Sequence, residues 1–337
     1  EPVPGASVAN ADGSASALTA ADGTYWLPVA STTPTVNASY DRAVTQSATL
    51  SVAPGATVTQ DFALLPVAGT TYYVNGSTGD DNGLGTLASP YRTIDRADKL
   101  YRLVPGDTVL VASGTYTPPT PNGVDLHYCT GNIVAPVNYK ADTTGGPVVI
   151  DQAYFTTWSM GFTVGASFIA IDGFEMKNSQ YGVMFNSFTD GNGNPDGYDH
   201  NTVVNCVIHD LHYADVNSSY VWDKWATGIY NSWAHNGCFH NNVFYNIGTP
   251  GTVPPPGSQA YFAAGIMLPG NTGTMVYNNT MDSSWSGVLA WIAGRGGQKV
   301  TDNIITNMWG YGINANEAAG SITNSHNLFN GNAANYG

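Results

Sequence analysis

Short apolar runs separated by glycine and polar turns follow one another along the second half of the chain, and two kinds of run alternate. The first kind starts with glycine and an apolar residue, at Gly182, Gly228, Gly265, Gly287 and Gly312. The second kind follows a turn residue and starts at Cys206, Asn242, Asn279, Asn303 and Asn327. Runs of this length are typical of β-strands, and a repeat of about 22 to 25 residues is typical of solenoids whose coils stack at roughly 4.8 Å. The pattern predicts a parallel β-helix with two strands in each coil.

The asparagines that open the second run are expected to be structural. Stacked asparagine side chains can hydrogen-bond along a ladder, and asparagine tolerates the left-handed backbone of a tight turn. Where the repeat is longer than one coil, the extra residues are expected to be loops, at 186–200 with 213–226 and at 249–262. We expect both insertions to project from the same side of neighbouring coils, where function is most often found.

A different pattern occupies residues 1–66, where apolar and polar residues alternate in short stretches between turns. Such alternation predicts the strands of a small sandwich. Gly5 to Val8, Thr19 to Tyr25 and Asp61 to Leu64 together resemble the carboxypeptidase-regulatory-like family, which usually has one more strand before the first motif. The resemblance implies a sandwich with an open edge, to which an extended segment of another chain could pair.

After a linker at 67–70, three further motifs surround a stretch with helical spacing of apolar residues. The motifs are Tyr72 to Gly83, Ser89 to Ile94 and Pro105 to Tyr116. We expect a helix near 93–104 whose apolar face comprises Ile94, Ala97, Leu100, Tyr101 and Val104. The motifs in this order resemble the start of pectate-lyase-like right-handed parallel β-helices, whose first short helix covers the end of the core. The resemblance implies an all-β protein, a right-handed parallel β-helix over 71–337 with a small N-terminal β-sandwich.

Composition agrees with an all-β chain and narrows the choice of partners. The 337 residues include 39 glycines and 19 prolines, which helix interiors penalise. The formal net charge is −14, from 10 basic and 24 acidic residues, so phosphate backbones are repelled and nucleic-acid binding is not expected. No apolar run is long enough to predict a membrane span.

Cysteines and glycosylation tripeptides bear on where the protein works. Cys129, Cys206 and Cys238 lack the paired spacing of a zinc site, and at most one disulfide can form among them. Four Asn-x-Ser/Thr tripeptides would accept N-glycans in a secretory host, at Asn37, Asn75, Asn217 and Asn278. They favour an extracellular or cell-surface location.

The segment 190–199 in the first insertion alternates oxygen-bearing side chains with glycine. Carboxylate and amide oxygens spaced in this way can turn toward one hard cation, and calcium is the natural candidate. The predicted ligands are Asp190, Asn192, Asn194, Asp196 and Asp199. The same residues would also form an ordinary polar turn without metal, since no glutamate completes a calcium loop.

A pectate-lyase-like enzyme needs a cation that neutralises the uronate carboxylate and a base that takes the adjacent proton. Lys224, beside the large insertion, is the candidate base, and His209 and Asp210 are further catalytic candidates in the same coils. No motif joins these three residues, so no catalytic role carries over from the resemblance. Exposed tryptophans could instead stack on sugars or on a protein partner, and the candidates are Trp222, Trp225, Trp233, Trp285 and Trp291.

Three functions stay open from the sequence, because β-helices serve as enzymes, adhesins and fibres alike. The low charge density and the open sandwich edge favour an extracellular structural or adhesive protein that self-assembles into filaments. The alternatives are a calcium-assisted polysaccharide lyase acting on uronate polymers and a carbohydrate-binding protein without catalysis. The expected partner is therefore a second copy of the chain or a polysaccharide.

Overall fold

The computed structural model describes residues 1–153, 158–186, 198–213, 224–248, 262–291, 296–315 and 322–336. Six short strands lie in the first part: β1 Ser7–Asn10, β2 Ser16–Leu18, β3 Thr35–Ser39, β4 Ala43–Val44, β5 Gln46–Thr49 and β6 Leu65–Pro66. An antiparallel sheet has the order β2-β1-β3-β5, and β4 pairs with β6. The segments around Tyr25 and Phe62, predicted as strands, join neither sheet but pack on the buried Val8 and Val36. The complete sandwich therefore stays a prediction.

From residue 71 onward the described chain winds through three parallel sheets in a fixed order, which we call sheets A, B and C. Sheet A contains β7 Thr71–Val74, β8 Thr108–Ala112, β11 Val137–Asp142, β14 Ile169–Asp172, β17 Thr202–Val204, β20 Cys238–His240, β23 Met275–Tyr277, β26 Gln298–Thr301 and β29 Ile322–Ser325. Sheet B contains β9 Gly114–Tyr116, β12 Val148–Asp151, β15 Glu175–Lys177, β18 Val207–Leu211, β21 Val243–Ile247, β24 Thr280–Asp282, β27 Ile304–Thr306 and β30 Leu328–Asn330. Sheet C contains β10 Val124–Leu126, β13 Met160–Val164, β16 Tyr181–Asn186, β19 Trp225–Ser232, β22 Phe262–Pro269, β25 Ser286–Trp291, β28 Tyr311–Asn314 and β31 Ala334–Tyr336. The helix α1 Arg96–Lys99 and a 3₁₀ turn at Thr143–Gly145 complete the described elements.

This arrangement confirms the parallel β-helix, but each coil has three strands rather than the predicted two. The glycine runs are the strands of sheet C, and the runs after a turn residue are those of sheet B. Sheet A was missed because its strands β17, β20 and β23 have only three residues, and only the middle one is fully buried. Val203, Phe239 and Val276 are these middle residues. One apolar residue between variable neighbours leaves no periodic signal.

The interior of the solenoid explains why the strands of sheet C contain a recurrent glycine. Phe185 of sheet C stacks on Phe239 of sheet A with 5.7 Å between ring centroids, so the sheets meet in one apolar core. A Cβ placed on Gly228 would lie 2.4 Å from the carbonyl oxygen of Gly265 and 2.5 Å from Cδ1 of Phe244. The glycine therefore lets the backbone of sheet C approach the next coil and the side chains of sheet B.

The asparagine ladder forms as predicted at the turn between sheets A and B. Oδ1 of Asn279 accepts hydrogen bonds from the backbone N–H and from Nδ2 of Asn242, at 3.0 and 3.1 Å. Asn303 accepts the same pair of bonds from Asn279, and Asn327 accepts it from Asn303. Each side chain thus satisfies a buried backbone group of the preceding coil.

The left-handed backbone of these turns lies one residue earlier than expected. Positive φ angles occur at Asn205, Asn241, Asn278, Asp302 and His326, each directly before a ladder position. The two demands of the turn are therefore divided between neighbouring residues. One residue adopts the left-handed conformation, which asparagine and aspartate tolerate best, and the next points its amide into the ladder.

The helix at the start of the solenoid is shorter than predicted. α1 ends at Lys99, and Tyr101 adopts a positive φ of 55°. Ile94 and Ala97 are buried as expected, whereas Tyr101 and Val104 are exposed and Leu103 is buried instead. The buried Asp98 carboxylate accepts backbone hydrogen bonds from His127, Tyr128 and Cys129, which attaches the helix to the first coil.

The insertions do not all leave the described strands at one edge of the solenoid. Residues 214–223 and 249–261 connect sheet B to sheet C in neighbouring coils, so these two share an edge of the solenoid, as predicted. Residues 187–197 connect sheet C to sheet A, which is the opposite end of the sheet C strands, and this part of the prediction is wrong. The error arose because sheet A, which fixes where each coil turns, was not recognised.

The first 66 residues contact the solenoid at several points. Arg42 Nε donates to the carbonyl of Pro105 at 3.0 Å, and Asn132 Nδ2 donates to the carbonyl of Asp41 at 3.0 Å. Glu1 Oε1 lies 2.8 Å from His200 Nε2. In the part of the chain that the structure describes, no helix is long and apolar enough to cross a membrane.

Candidate functional site

The edge between sheets B and C, where two neighbouring coils carry insertions, is the candidate site. His212 and Tyr213 precede the insertion at 214–223, Lys224 follows it, and Gly248 precedes the insertion at 249–261. Gly248 has a φ of 81°, and a Cβ built on it would lie 2.9 Å from the hydroxyl oxygen of Tyr213. The described residues at which these two insertions begin are therefore close together.

Two titratable groups at this edge, His212 and Tyr230, are uncharged because burial disfavours their charged forms. Burial lowers the pKa of His212 below its usual 6.5, against a smaller opposing effect of the Asp210 backbone. Burial also raises the pKa of Tyr230 to about 12. His212 is therefore an uncharged imidazole near neutral pH, able to accept a proton. Tyr230 stays a protonated phenol.

Aromatic rings surround the start of the sheet C strands. Tyr230 lies 5.4 Å from Tyr181 and 6.1 Å from Trp225 between ring centroids, and Trp158 meets Tyr181 edge-on at 6.2 Å. Trp158 is 40% exposed, whereas the other three are buried. Trp158, which the sequence did not single out, is therefore the ring in this group with accessible surface.

The central part of sheet C, from β13 to β25, is buried on both faces. Besides the inward-pointing residues, the alternate side chains described in these strands are also inaccessible, apart from the half-buried Ser232 at the end of β19. These alternate residues include Met184, Tyr230, Met267 and Leu289, with exposures of 6% or less. A ligand cannot lie directly on the centre of this sheet and would meet the turns at its edges instead.

His209, predicted as catalytic, lies on the outer side of sheet B between two carboxylates. Its Nδ1 is 2.8 Å from Asp210 Oδ2, and its Nε2 is 3.2 Å from Glu175 Oε1. The ring also stacks on Tyr245 at 4.5 Å, and its side chain is 9% exposed. Both nitrogens are thus engaged by carboxylates of its own and the preceding coil, and a catalytic role for His209 stays a prediction.

Asp210 is fixed in the same group. It adopts a positive φ of 51°, and its Oδ1 accepts a hydrogen bond from Asn246 Nδ2 at 3.0 Å. Burial raises its pKa, but the hydrogen bonds from Asn246 and His209 outweigh this effect, so the pKa is lowered. The carboxylate is a stable acceptor and a poor proton donor.

Of the predicted calcium ligands, Asp190, Asn192, Asn194 and Asp196 lie outside the described residues. Asp199 is described: its Oδ1 accepts from Asn236 Nδ2 at 2.9 Å and lies 3.1 Å from His200 Nδ1. Within the described ranges, no group of three or more His, Cys, Asp or Glu side chains could hold a metal ion. Calcium binding therefore stays a prediction.

Two of the five tryptophans predicted as platforms, Trp225 and Trp285, are inaccessible. Trp225 and Trp285 are 1% and 7% exposed, which leaves almost no ring surface for a sugar. Trp233 is half-buried and packs over Gly270. Trp222 and the side chain of Trp291 lie outside what the structure describes. Sequence alone could not separate core tryptophans from exposed ones, because the exposed Trp158 and the buried Trp285 both lie just before a strand of sheet C.

The structure describes all three cysteines and three of the four Asn-x-Ser/Thr tripeptides. Cys129, Cys206 and Cys238 are all free, and burial raises the pKa of the Cys206 thiol to about 12. Asn278 is exposed, whereas Asn37 and Asn75 are half-buried, and Asn217 lies outside the described residues. Asn75 Oδ1 accepts hydrogen bonds from the backbone N–H groups of Ser77 and Thr78, as in an Asx turn.

The fold is similar to that of solved polysaccharide lyases. A pectate lyase, Pel9A, matches with a TM-score of 0.50 and 21% identity, over 80% of this chain and 71% of that one. A rhamnogalacturonan lyase matches with a TM-score of 0.44 and 17% identity, over 80% of this chain and 63% of that one. An alginate lyase from Paenibacillus sp. matches with a TM-score of 0.41 and 15% identity, over 72% and 96%. No family model and no curated protein matches the sequence. At these identities the likeness concerns the parallel β-helix itself.

Proposed function

We propose that the protein acts on acidic polysaccharides outside the cell, as a lyase of uronate polymers, at the edge between sheets B and C. The observation that carries the proposal is the pair of insertions that leave neighbouring coils in contact with each other, with His212 and Lys224 at the two ends of the first one. The similarity in fold to a pectate lyase supports the substrate class. Fold similarity alone does not assign function.

The two residues supply the two requirements of an elimination reaction. The neutral His212 ring can take the proton from the carbon beside the uronate carboxylate. The electron pair then forms a carbon–carbon double bond, the neighbouring glycosidic carbon–oxygen bond breaks, and the departing sugar oxygen takes up a proton. The Lys224 ammonium supplies a positive charge that makes the proton beside the carboxylate more acidic. The sequence predicted the alternative assignment, in which Lys224 rather than His212 is the base.

Absorbance at 235 nm tests the proposal, because the product contains a conjugated double bond. Polygalacturonate and alginate are the substrates, and a neutral polysaccharide is the control. We expect a steady rise on one polyuronate, reduced by about a hundredfold or more in His212→Gln and in Lys224→Met. Lys299→Met is the matched control, because Lys299 is exposed on sheet A. If the absorbance at 235 nm rises equally fast with all three variants, the cleavage does not depend on His212 or Lys224 and takes place at another site.

The pH dependence separates the two candidate bases. A His212 base loses activity as the pH falls through its lowered pKa, whereas a lysine base needs alkaline pH. The same assay with a chelator tests the predicted calcium. Binding to a polyuronate without any rise at 235 nm would leave a carbohydrate-binding protein. Neither cleavage nor binding on any polyuronate would refute the proposal.

Self-assembly into filaments, the function that the sequence favoured, stays a prediction. Negative-stain microscopy of the purified protein, with and without chelator, tests it directly. Ordered filaments would support a structural role, and dispersed particles would remove it.

A further inference from the structure

A cavity of about 460 Å³ lies at the beginning of the solenoid, away from the insertions. It is bordered by α1, by the end of β9 and by the turn at 117–123 that leads from sheet B to sheet C. Its volume falls within the range of small-ligand sites, about 300 to 1,000 Å³.

Basic side chains are concentrated in this cavity. Arg92, Arg96 and Lys99 line it, although the whole chain has only 10 lysines and arginines and a net charge of −14. Arg92 Nε donates to the carbonyl of Gly79 at 2.9 Å, and Arg96 Nε donates to the carbonyl of Asp81 at 2.7 Å. These bonds orient both guanidinium groups. Their Nη atoms have no protein partner in the described part of the chain.

The acidic residues of the cavity are already engaged. Oδ1 of Asp81 accepts from the backbone N–H groups of Arg92 and Thr93, both at 2.9 Å. Asp95 forms an ion pair with Lys99 at 2.6 Å. Three basic against two acidic side chains leave a net positive charge in the cavity, and its two guanidinium groups form no ion pair among the described residues. A guanidinium group binds a carboxylate through two parallel hydrogen bonds, which a lysine cannot do.

The remaining lining is typical of a sugar site. Thr115, Thr117 and Thr120 provide hydroxyl groups, and Tyr116 provides a ring. That ring is fixed, because its hydroxyl donates to the carbonyl of Ala112 at 2.9 Å and accepts from the N–H of Gly76 at 3.1 Å. Fixed rings and hydroxyl groups recognise the apolar faces and the hydroxyls of sugars.

We infer that this cavity binds a carboxylate-bearing sugar, with Arg92 and Arg96 holding the carboxylate. The choice of a uronate rests on the proposed function. The cavity lies on the same edge of the solenoid as Lys224, three coils earlier, which is roughly 14 Å at about 4.8 Å per coil. A polymer that follows this edge would occupy both places, so the cavity is a second, non-catalytic contact for the chain that is cleaved.

Isothermal titration with digalacturonate tests the inference, with galactose and inorganic sulfate as the comparison ligands. We expect digalacturonate to bind, and to bind at least tenfold more weakly to Arg92→Gln and to Arg96→Gln. Arg96→Lys keeps the charge and should still bind more weakly, because it loses the paired donors. Lys140→Gln is the control, since Lys140 is 57% exposed on sheet A. Thermal unfolding of each variant checks that it is folded.

The outcomes separate this inference from the lyase proposal, because the titration needs no turnover. Unchanged digalacturonate affinity in folded Arg92→Gln and Arg96→Gln would overturn the inference, as would galactose binding as tightly as digalacturonate. Sulfate binding as tightly as digalacturonate would refute specificity for a sugar and would show a general anion site. Binding that depends on the arginines without any product at 235 nm would refute the lyase alone.

Discussion

Replacing Asn279 with alanine tests whether the asparagine ladder holds the coils together. Oδ1 of Asn279 accepts two hydrogen bonds from Asn242, one of them from a buried backbone N–H group. Its Nδ2 donates to the carbonyls of Phe239 and Tyr277 and to Oδ1 of Asn303, each at 3.0 Å. Asn279 is 1% exposed, so water cannot replace these partners.

The expected loss follows from these contacts. A buried N–H group left without an acceptor costs about 1–3 kcal/mol, and each further hydrogen bond contributes about 0.5–1.5 kcal/mol. We therefore expect Asn279→Ala to lower the free energy of unfolding by at least about 3 kcal/mol. Asn327 provides the matched control, because it accepts the same two bonds from Asn303 but is half-buried. There water can compensate, and we expect a loss of about 1 kcal/mol for Asn327→Ala.

Urea unfolding followed by tryptophan fluorescence and by circular dichroism measures both losses. Solenoids can unfold in parts, so the free energies are comparable only if the two signals give the same transition, as expected for two-state unfolding. The midpoint should fall much further for Asn279→Ala than for Asn327→Ala, with the slope unchanged. Equal midpoints for the two variants, or a loss below about 1 kcal/mol at Asn279, would refute the view that buried amide contacts stabilise the stack.

Three further predictions concern packing, pH and thiol reactivity. Gly228→Ala should destabilise the fold by about 3 kcal/mol or more, because the new Cβ meets backbone and side-chain atoms at 2.4 and 2.5 Å, and a melting temperature within about 2 °C of the parent would contradict this. Burial raises the pKa of Asp282, but three side-chain hydrogen bonds outweigh it and lower the pKa below 3.8. Its stabilisation is therefore present above about pH 4 and lost as the pH falls through the lowered value, and Asp282→Asn should flatten unfolding free energy against pH in that range. Cys206, fully buried with a pKa of about 12, should react with maleimide only after unfolding, as mass spectrometry of the labelled peptide would detect.

The sequence predicts sheets B and C because fixed residue types mark them. The glycine of sheet C is required by a close approach to the next coil, and the asparagine of sheet B by a buried hydrogen-bond ladder. Sheet A has no such requirement. Its outer positions change from Thr202 to Cys238 to Met275 in successive coils, because an outward side chain meets few steric constraints.

The candidate site is harder to predict for a related reason. Function-bearing loops are insertions, and their residues have no register with neighbouring coils. Spacing could place Lys224 beside an insertion, but it could not establish that residues 187–197 leave from the other end of sheet C. The exposure of individual side chains could not be predicted either. Trp225 and Trp158 differ in accessibility because of the packing around each ring, which no local sequence pattern records.

The ladder spacing of 24 residues between Asn279, Asn303 and Asn327 also bears on how such a chain can change in evolution. A duplication of 24 residues beginning at Asn279 or at Asn303 inserts one complete coil, because both new junctions repeat contacts that already exist. Each duplication lengthens the solenoid by about 4.8 Å without a new core. The separation between two contacts on one edge can thus be altered in whole steps, so a solenoid can be matched to the repeat of a linear polymer by genetic copying alone.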